Sequence, residues 1–373
     1  MNAIILSLNN NLIINNDFQS DTHFFKINNL FNIERTILML NDVGISDITI
    51  INNNYFAEYN YLQDKYSCTI IPISNTNDSL FHALYKIREK IKDTFIIDSN
   101  IVFFQNLFKY EPFSYCYITN NFSSRSFSYM PQIAQDNHIV GFEDSSENKD
   151  YFLEMIFLSE KDFSNYQNFF YSINTSSKIN REYIFLNLIH NIHIYAQKIP
   201  YNVAGKIDTR NDYIQCLEVC QRYYFDFNNY FLNLYDYKNN FLFIQNEPLA
   251  IIYTQRLWKD YNAKHPDNPQ YLDEPIIFSP NEFPFIIITN GIDIGFIDLI
   301  QECNYIRLKR MYIRKKYRNS GIGTQIIKKI NTFCLLSGNE LQVNVYDEAA
   351  ARFYVRLGFK HNFTNYLLKG SSL

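Results

Sequence analysis

With 373 residues the chain is longer than one typical domain and predicts two, each long enough to bury a core of its own. A hydrophobic fraction of 47% against 19% charged residues excludes a disordered chain. A formal net charge of −4 excludes a general nucleic-acid binder, which needs surplus Lys and Arg to neutralise phosphates.

Residues 1–12 carry no basic n-region, and the apolar run at 3–8 is too short for a signal peptide or a membrane span. That run is expected as a first buried strand. A helix over 33–43, a strand over 47–51, a helix over 79–91 and a strand over 94–97 follow. This βαβ rhythm predicts a mostly parallel sheet covered on both faces. Short strands are expected between 115 and 157, then helices over 159–172 and 179–196. An aromatic-rich helix spans 212–234, and 258–275, with Pro266, Pro269 and Pro275, is a helix end running into a loop. Phe and Tyr are abundant alongside Asn and Ile, which reads as codon bias and not as a base-stacking surface.

The last part of the chain has a second rhythm. Apolar runs at 283–289 and 294–299 flank Asn290-Gly291, a hairpin signal because both residues tolerate positive φ. A strand over 306–313 leads into Arg318-Asn319-Ser320-Gly321-Ile322-Gly323, then a helix over 324–337 ended by Gly338. A strand at 341–345, a helix at 348–357 and a strand at 366–368 complete the chain. Cys68, Cys116, Cys216, Cys220, Cys303 and Cys334 lack C-x-x-C spacing, so reduced thiols in a cytoplasmic protein without a metal site are expected.

The glycine-containing loop carries the first chemical signal. Gly321 and Gly323 let a backbone approach a ligand without Cβ interference. The N–H groups of the loop and of the first helical turn, through Thr324, point to one spot where the helix dipole favours an anion. That makes a pyrophosphate cradle, although in isolation the same pattern fits a tight turn. The second signal is VYDEAAARFYVRLGF at 345–359, starting at a strand end.

Together the two motifs resemble the GNAT acetyltransferase family, in which an R/Q-x-x-G-x-G/A loop and a later A-x-x-F-Y-x-x-x-G-F helix enclose acetyl-CoA. Ala350, Phe353, Tyr354, Gly358 and Phe359 match in order and spacing, and 285–299 resembles the family's strands 2 and 3. The resemblance implies that Arg318, Asn319, Ser320, Gly321, Ile322, Gly323 and Thr324 hold the pyrophosphate. It implies that backbone groups around Met311, Tyr312 and Ile313 pair with pantetheine amides, and that Asn344, Ala350 and Tyr354 complete the cofactor site. Tyr354 stands where the family's general acid protonates the departing thiolate; a core aromatic is the competing reading. A splay between strands 4 and 5 is a further expectation.

Two departures from the family bear on mechanism. The Asn that often precedes A-x-x-F-Y is Asp347, still able to cap the helix. The strand-4 Glu is absent, with Arg307 and Lys309 in its neighbourhood and Glu302 the nearest upstream carboxylate. The base is therefore either Glu302 or a water relay. The cluster Arg307, Lys309, Arg310, Arg314, Lys315, Lys316 and Arg318 reads mainly as a solvated face, with Lys315, Lys316 and Arg318 suited to attract phosphates.

In the first half, FNIERTILMLNDVGISDITIINNNYFA (31–57), FIIDSNIVF (95–103) and IDTRNDY (207–213) resemble the sugar-phosphate nucleotidyltransferases. The family's G-x-G-x-R loop is replaced by Ser7-Leu8-Asn9-Asn10-Asn11-Leu12, and its lysine has only Lys26 nearby. Its middle-strand metal-binding Asp is Asn100, so Asp208 stands alone where Mg²⁺ needs two carboxylates; Asp98 with Asp208 is the residual possibility. The expectation is a Rossmann-like, nucleotidyltransferase-type domain over 1–222, inactive, followed by a mixed-sheet GNAT domain over 223–373. Acetyl-CoA is the expected co-substrate, with no metal, and a small-molecule amine the acceptor, with an amino sugar or nucleotide-linked sugar as one class. A bifunctional enzyme and a non-catalytic scaffold are the alternatives. No nucleic-acid partner is expected, and a homo-oligomer stays open.

Overall fold

The computed structural model describes residues 1–373 except 9–23, 54–56, 75–76, 121–129, 144–149, 163–164, 166–187, 189–190, 201, 208–209, 223–226, 268, 270–274, 303, 346, 363–364 and 369–373. It divides into two units, Met1–Asn41 with Ile45–Tyr223, and Asp42–Gly44 with Tyr224–Leu373.

In the first unit the strand Asn2–Ser7 (β1) is buried from Ala3 to Ser7, as a central strand covered on both faces must be. Six further strands join it: Ile48–Asn52 (β2), Thr69–Pro72 (β3), Thr94–Asp98 (β4), Tyr115–Asn120 (β5), Asp150–Leu158 (β6) and Tyr195–Ile199 (β7). Their order is β7-β5-β6-β4-β1-β2-β3, and only β6 runs antiparallel to its neighbours. The helices Asn32–Asp42 (α1), Ala57–Tyr66 (α2), Asn77–Ile87 (α3) and Arg210–Arg222 (α4) accompany the sheet. Many of the aromatic side chains lie inside: Phe157 packs at a tilt against Phe95 at 4.8 Å and against Tyr115 at 5.3 Å between ring centres.

Several expectations change here. Tyr195 and Ala196 were expected to end a helix, but they pair with Tyr115 and Cys116 as the start of β7. Within β7 only Ile199 is buried, as fits an edge strand, and ladder pairing outweighs local helix propensity. Of the helix expected over 159–172, the 3-10 turn Glu160–Asp162 is seen, and residues 163–164 and 166–172 lie outside the described residues. Helix α2 and strand β3 were not expected.

The second unit is built on an eight-stranded sheet. Its strands are Tyr235–Asp236 (β8), Phe241–Gln245 (β9), Glu282–Thr289 (β10), Ile292–Gln301 (β11), Tyr305–Ile313 (β12), Glu340–Val343 (β13), Lys360–Asn362 (β14) and Asn365–Leu368 (β15). The order is β8-β9-β10-β11-β12-β13-β15-β14, with β12–β13 the parallel pair and the rest antiparallel. The helix expected over 212–234 is two, α4 and Phe227–Leu232 (α5). Strand β9 and the first half of Glu247–Asn262 (α6) were missed, though Asn246-Glu247-Pro248 is a start signal: the Asn246 side chain accepts the Leu249 N–H at 3.0 Å. Helix α6 packs Tyr253 and Ala250 against Ile286, Phe296 and Tyr312, while Ile322–Ser337 (α7) crosses from β12 to β13. The remaining helix is Glu348–Arg356 (α8). Among the described residues no helix is long and apolar enough to cross a membrane.

Candidate functional site

The site begins with an interrupted ladder. Strands β12 and β13 pair from Tyr305–Glu340 to Leu308–Val343 and then stop, while β12 continues to Ile313 along β11. One edge of Lys309–Ile313 is therefore unpaired by strand, and the expected splay is present. A register shift between Asp298 and Leu299 leaves Lys309 as an extra residue on β12, a bulge that bends the strand at the point of parting.

Backbone direction along this edge follows from two contacts. The Tyr312 carbonyl faces β11 so closely that a Cβ on Gly295 would lie 2.2 Å from it, and the Arg314 N–H donates to the Ile294 carbonyl at 2.9 Å. Because antiparallel partners alternate, Met311 and Ile313 turn their N–H and C=O groups to the open side. The Ile313 carbonyl already accepts the Arg318 Nε–H at 2.7 Å.

The cradle follows. Gly321 caps α7 at φ +83° and Asn319 sits at φ +64°, both left-handed. The first intrahelical bond runs from the Gln325 N–H to the Gly321 carbonyl at 3.1 Å, so the N–H groups of Ile322, Gly323 and Thr324 lack intrahelical acceptors. Ser320 steadies the turn through its hydroxyl, 2.7 Å from the Tyr317 carbonyl. A Cβ on Gly321 would meet nothing within 4 Å, whereas one on Gly323 would lie 3.4 Å from the Phe353 ring and 4.0 Å from the Met311 methyl. The two sequence motifs and the strand before the loop thus meet at Gly323.

Two buried acceptors have no hydrogen-bond partner, Gln325 Oε1 in the first turn of α7 and Asn344 Oδ1 just past the end of β13. Asn344 was expected at a cofactor site; Gln325 was missed, one residue beyond the motif. Orphaned polar atoms beside free amides and an open strand edge suit a ligand rich in amides and phosphate. Asp347 caps α8 through the Ala350 N–H at 2.6 Å, which commits that amide to the helix.

The basic cluster is largely paired and not simply solvated. Arg310 lies in a buried group with Glu282 and Asp298, and Lys309 reaches Glu282 at 2.7 Å. Arg314 meets Asp293 at 3.3 Å, and Asp260 of α6 holds Lys315 at 3.2 Å and Arg318 at 3.1 Å. Burial, then the neighbouring Glu282 carboxyl, pushes Asp298 up to about 8. Burial opposes ionisation of Glu282 too, but hydrogen bonds from Asp298 and Lys309 bring it down to about 2.

Tyr354 is 6% exposed on α8, edge-on to Phe353 at 5.0 Å and to Phe359 at 5.3 Å. Burial, with Asp347 second, raises its phenol well above the ordinary value, so it stays protonated. Glu302 is not brought to this place. It lies in the turn before β12, 3.1 Å from Arg307, at the closed end of the β12–β13 pair and about 20 Å down the strand from Met311.

In the first unit, Ser7, Asn52 and Asp98 close β1, β2 and β4 on one side of the sheet. The Asp98 carboxylate accepts the Asn100 N–H at 2.7 Å and is 1% exposed, which makes it part of a turn. Lys26 is exposed on a two-residue strand, and Asp208 lies outside the described residues.

Residues 280–361 match the acetyltransferase (GNAT) domain family. This part of the chain is a GNAT acetyltransferase domain. The acetyltransferase domain makes the protein an acyltransferase, and its fold ordinarily works with acetyl-CoA. The first unit resembles nucleotidyltransferases instead. The choline-phosphate cytidylyltransferase of Haemophilus influenzae is 22% identical over 228 residues, 58% of this chain and 97% of that protein. Its Streptococcus pneumoniae counterpart is 31% identical over 78 residues, 21% of this chain and 34% of that protein. Among solved structures, the CTP:phosphocholine cytidylyltransferase from Streptococcus pneumoniae superposes with a TM-score of 0.49 at 20% identity, over 58% of this chain and 97% of its own. The inositol-1-phosphate CTP transferase from T. maritima gives 0.46 at 9% identity, over 59% and 96%.

Proposed function

We propose that the protein transfers an acetyl group from acetyl-CoA to a primary amine on a small acceptor, and that the first unit recognises the acceptor without transferring a nucleotide. The observation that supports this best is the meeting of Met311, Gly323 and Phe353 beside the unpaired edge of β12. The outward amides of Met311 and Ile313 pair with the pantetheine arm as an added strand would. The loop from Arg318 to Gly323, with Thr324, offers its free amides to the diphosphate, and Asn344 supplies a buried acceptor at the facing strand end.

The acceptor nitrogen attacks the thioester carbonyl, a new C–N bond forms and the C–S bond breaks. Backbone N–H groups near Met311 stabilise the charge that develops on oxygen. Tyr354, which burial keeps protonated at neutral pH, gives its proton to the leaving thiolate and takes one back from water. The amine loses its proton to water, since Glu302 is held by Arg307 at the far end of the strand. Choline phosphate, named in the first unit's relatives, ends in a quaternary nitrogen without an N–H or a lone pair. The acceptor must therefore differ from it and carry a free amine, as amino sugars and nucleotide-linked amino sugars do.

Calorimetric titration with acetyl-CoA, beside CTP or UTP with Mg²⁺, is the test. Acetyl-CoA should bind and the nucleotides should not. Gly321→Glu should abolish acetyl-CoA binding, because it puts a bulky anion where the diphosphate sits, and the positive φ at that position should lower the melting temperature only modestly. Undiminished binding by that variant would sink the cradle assignment.

A further inference from the structure

A cluster in the first unit lies outside everything described so far. Asp136, His138 and His193 bring one ligand atom each to within 4.8 Å of one another. The segments that carry them are tied together by backbone. The turn from Ala134 to His138 closes through Asn137 N–H to Ala134 C=O at 3.0 Å and Ala134 N–H to His138 C=O at 2.9 Å, with Asn137 at φ +66°. Ile139 N–H then donates to Ile194 C=O at 2.9 Å, and Ala196 N–H to Asn137 C=O at 2.7 Å.

On that scaffold His138 Nδ1 is hydrogen-bonded to Asp136 Oδ1, and His193 Nε2 stands 3.9 Å from Asp136 Oδ2. The two imidazoles stack at 4.1 Å between ring centres. Tetrahedral zinc with bonds of about 2.0–2.1 Å sets its ligand atoms about 3.4 Å apart, and the three ligand atoms here already lie within 4.8 Å of one another. The Asp136 and His193 side chains are 58% and 53% exposed, which leaves them free to rotate inward and leaves coordination positions to water.

We propose that Asp136, His138 and His193 bind a divalent ion of the zinc class, which clips the hairpin of Met130–Ile133 and Ile139–Glu143 to the edge strand β7. Two imidazole nitrogens and one carboxylate oxygen suit zinc and its neighbours better than magnesium or calcium, which prefer oxygen alone. The ion is not part of a nucleotide site. β7 runs parallel to β5 and hence in the same sense as β4 and β1, so His193, before the start of β7, lies at the opposite end of the sheet from Ser7, Asn52 and Asp98. The proposal stands independently of the acetyltransferase reading.

The test uses the full chain, freed of metal by a chelator and kept reduced, titrated with Zn²⁺ by calorimetry and with Co²⁺ by visible absorption. One equivalent should bind, and Zn²⁺ should raise the melting temperature. His138→Gln and His193→Gln should each lose that equivalent and the thermal shift, while their melting temperatures without metal match the parent's and show them folded. A parent chain that takes up no Zn²⁺, or a double variant that keeps the same equivalent, would overturn the site.

Discussion

At the scale of single residues, Tyr354 and Asp298 make the sharpest commitments. Tyr354→Phe keeps the ring contacts with Phe353 and Phe359 and removes only the proton donor. Its kcat should fall by about 10²- to 10⁴-fold with KM for acetyl-CoA unchanged; full activity would return Tyr354 to the core. Asp298 governs stability. Folded, it keeps its proton to about 8, while the unfolded chain releases it near 3.8, so stability declines as pH rises between those values and levels above them. Glu282 acts in the opposite sense, adding stability above 4.5 that is lost as pH falls toward 2. Thermal melts from about pH 5 to about pH 8 should therefore slope downward more in the parent than in Asp298→Asn. Equal slopes would mean that both carboxyls ionise together. Neither acid was legible as a pair in the sequence, since the ladders of β10, β11 and β12 are what bring Glu282, Asp298 and Arg310 together.

At the scale of elements, glycine and hairpin signals were readable because they are local. Asn290 and Gly291 take positive φ between β10 and β11, and Gly338 ends α7 with φ +74°. Gly295 was legible only through family resemblance, and its physical reason, the Tyr312 carbonyl, is a contact across strands. The pairing of the basic run was hidden for the same reason, because Asp260 comes from α6, far upstream. That pair has a consequence for binding. Arg318 is engaged by Asp260 and by the Ile313 carbonyl, a group that pantetheine would also use. Asp260→Asn should tighten acetyl-CoA binding by up to about fivefold, the scale of a half-exposed ion pair. Weaker binding would instead make Asp260 the residue that positions Arg318.

At the scale of the whole molecule, the sequence marked the chemistry of the second unit better than that of the first. A cradle is written in consecutive residues, whereas the metal cluster joins a turn to a strand start far along the chain, and no spacing announces it. In the first unit, residues 7–12 contain neither the glycines nor the arginine of a triphosphate-wrapping loop. Supplied with CTP or UTP and Mg²⁺, the full chain should release no pyrophosphate above background; turnover would show that the missing glycines and arginine are replaced from elsewhere.

The parted strands carry a last implication. Hydrogen-bonding groups that face an unfilled slot are an invitation to any extended peptide, a neighbouring copy of the chain included. The free enzyme should therefore be the sticky form, and saturating coenzyme should act as a plug. In deuterium exchange the amides of Met311 and Ile313 should swap quickly alone and slowly when the slot is filled, while those of Tyr312 and Arg314 barely change.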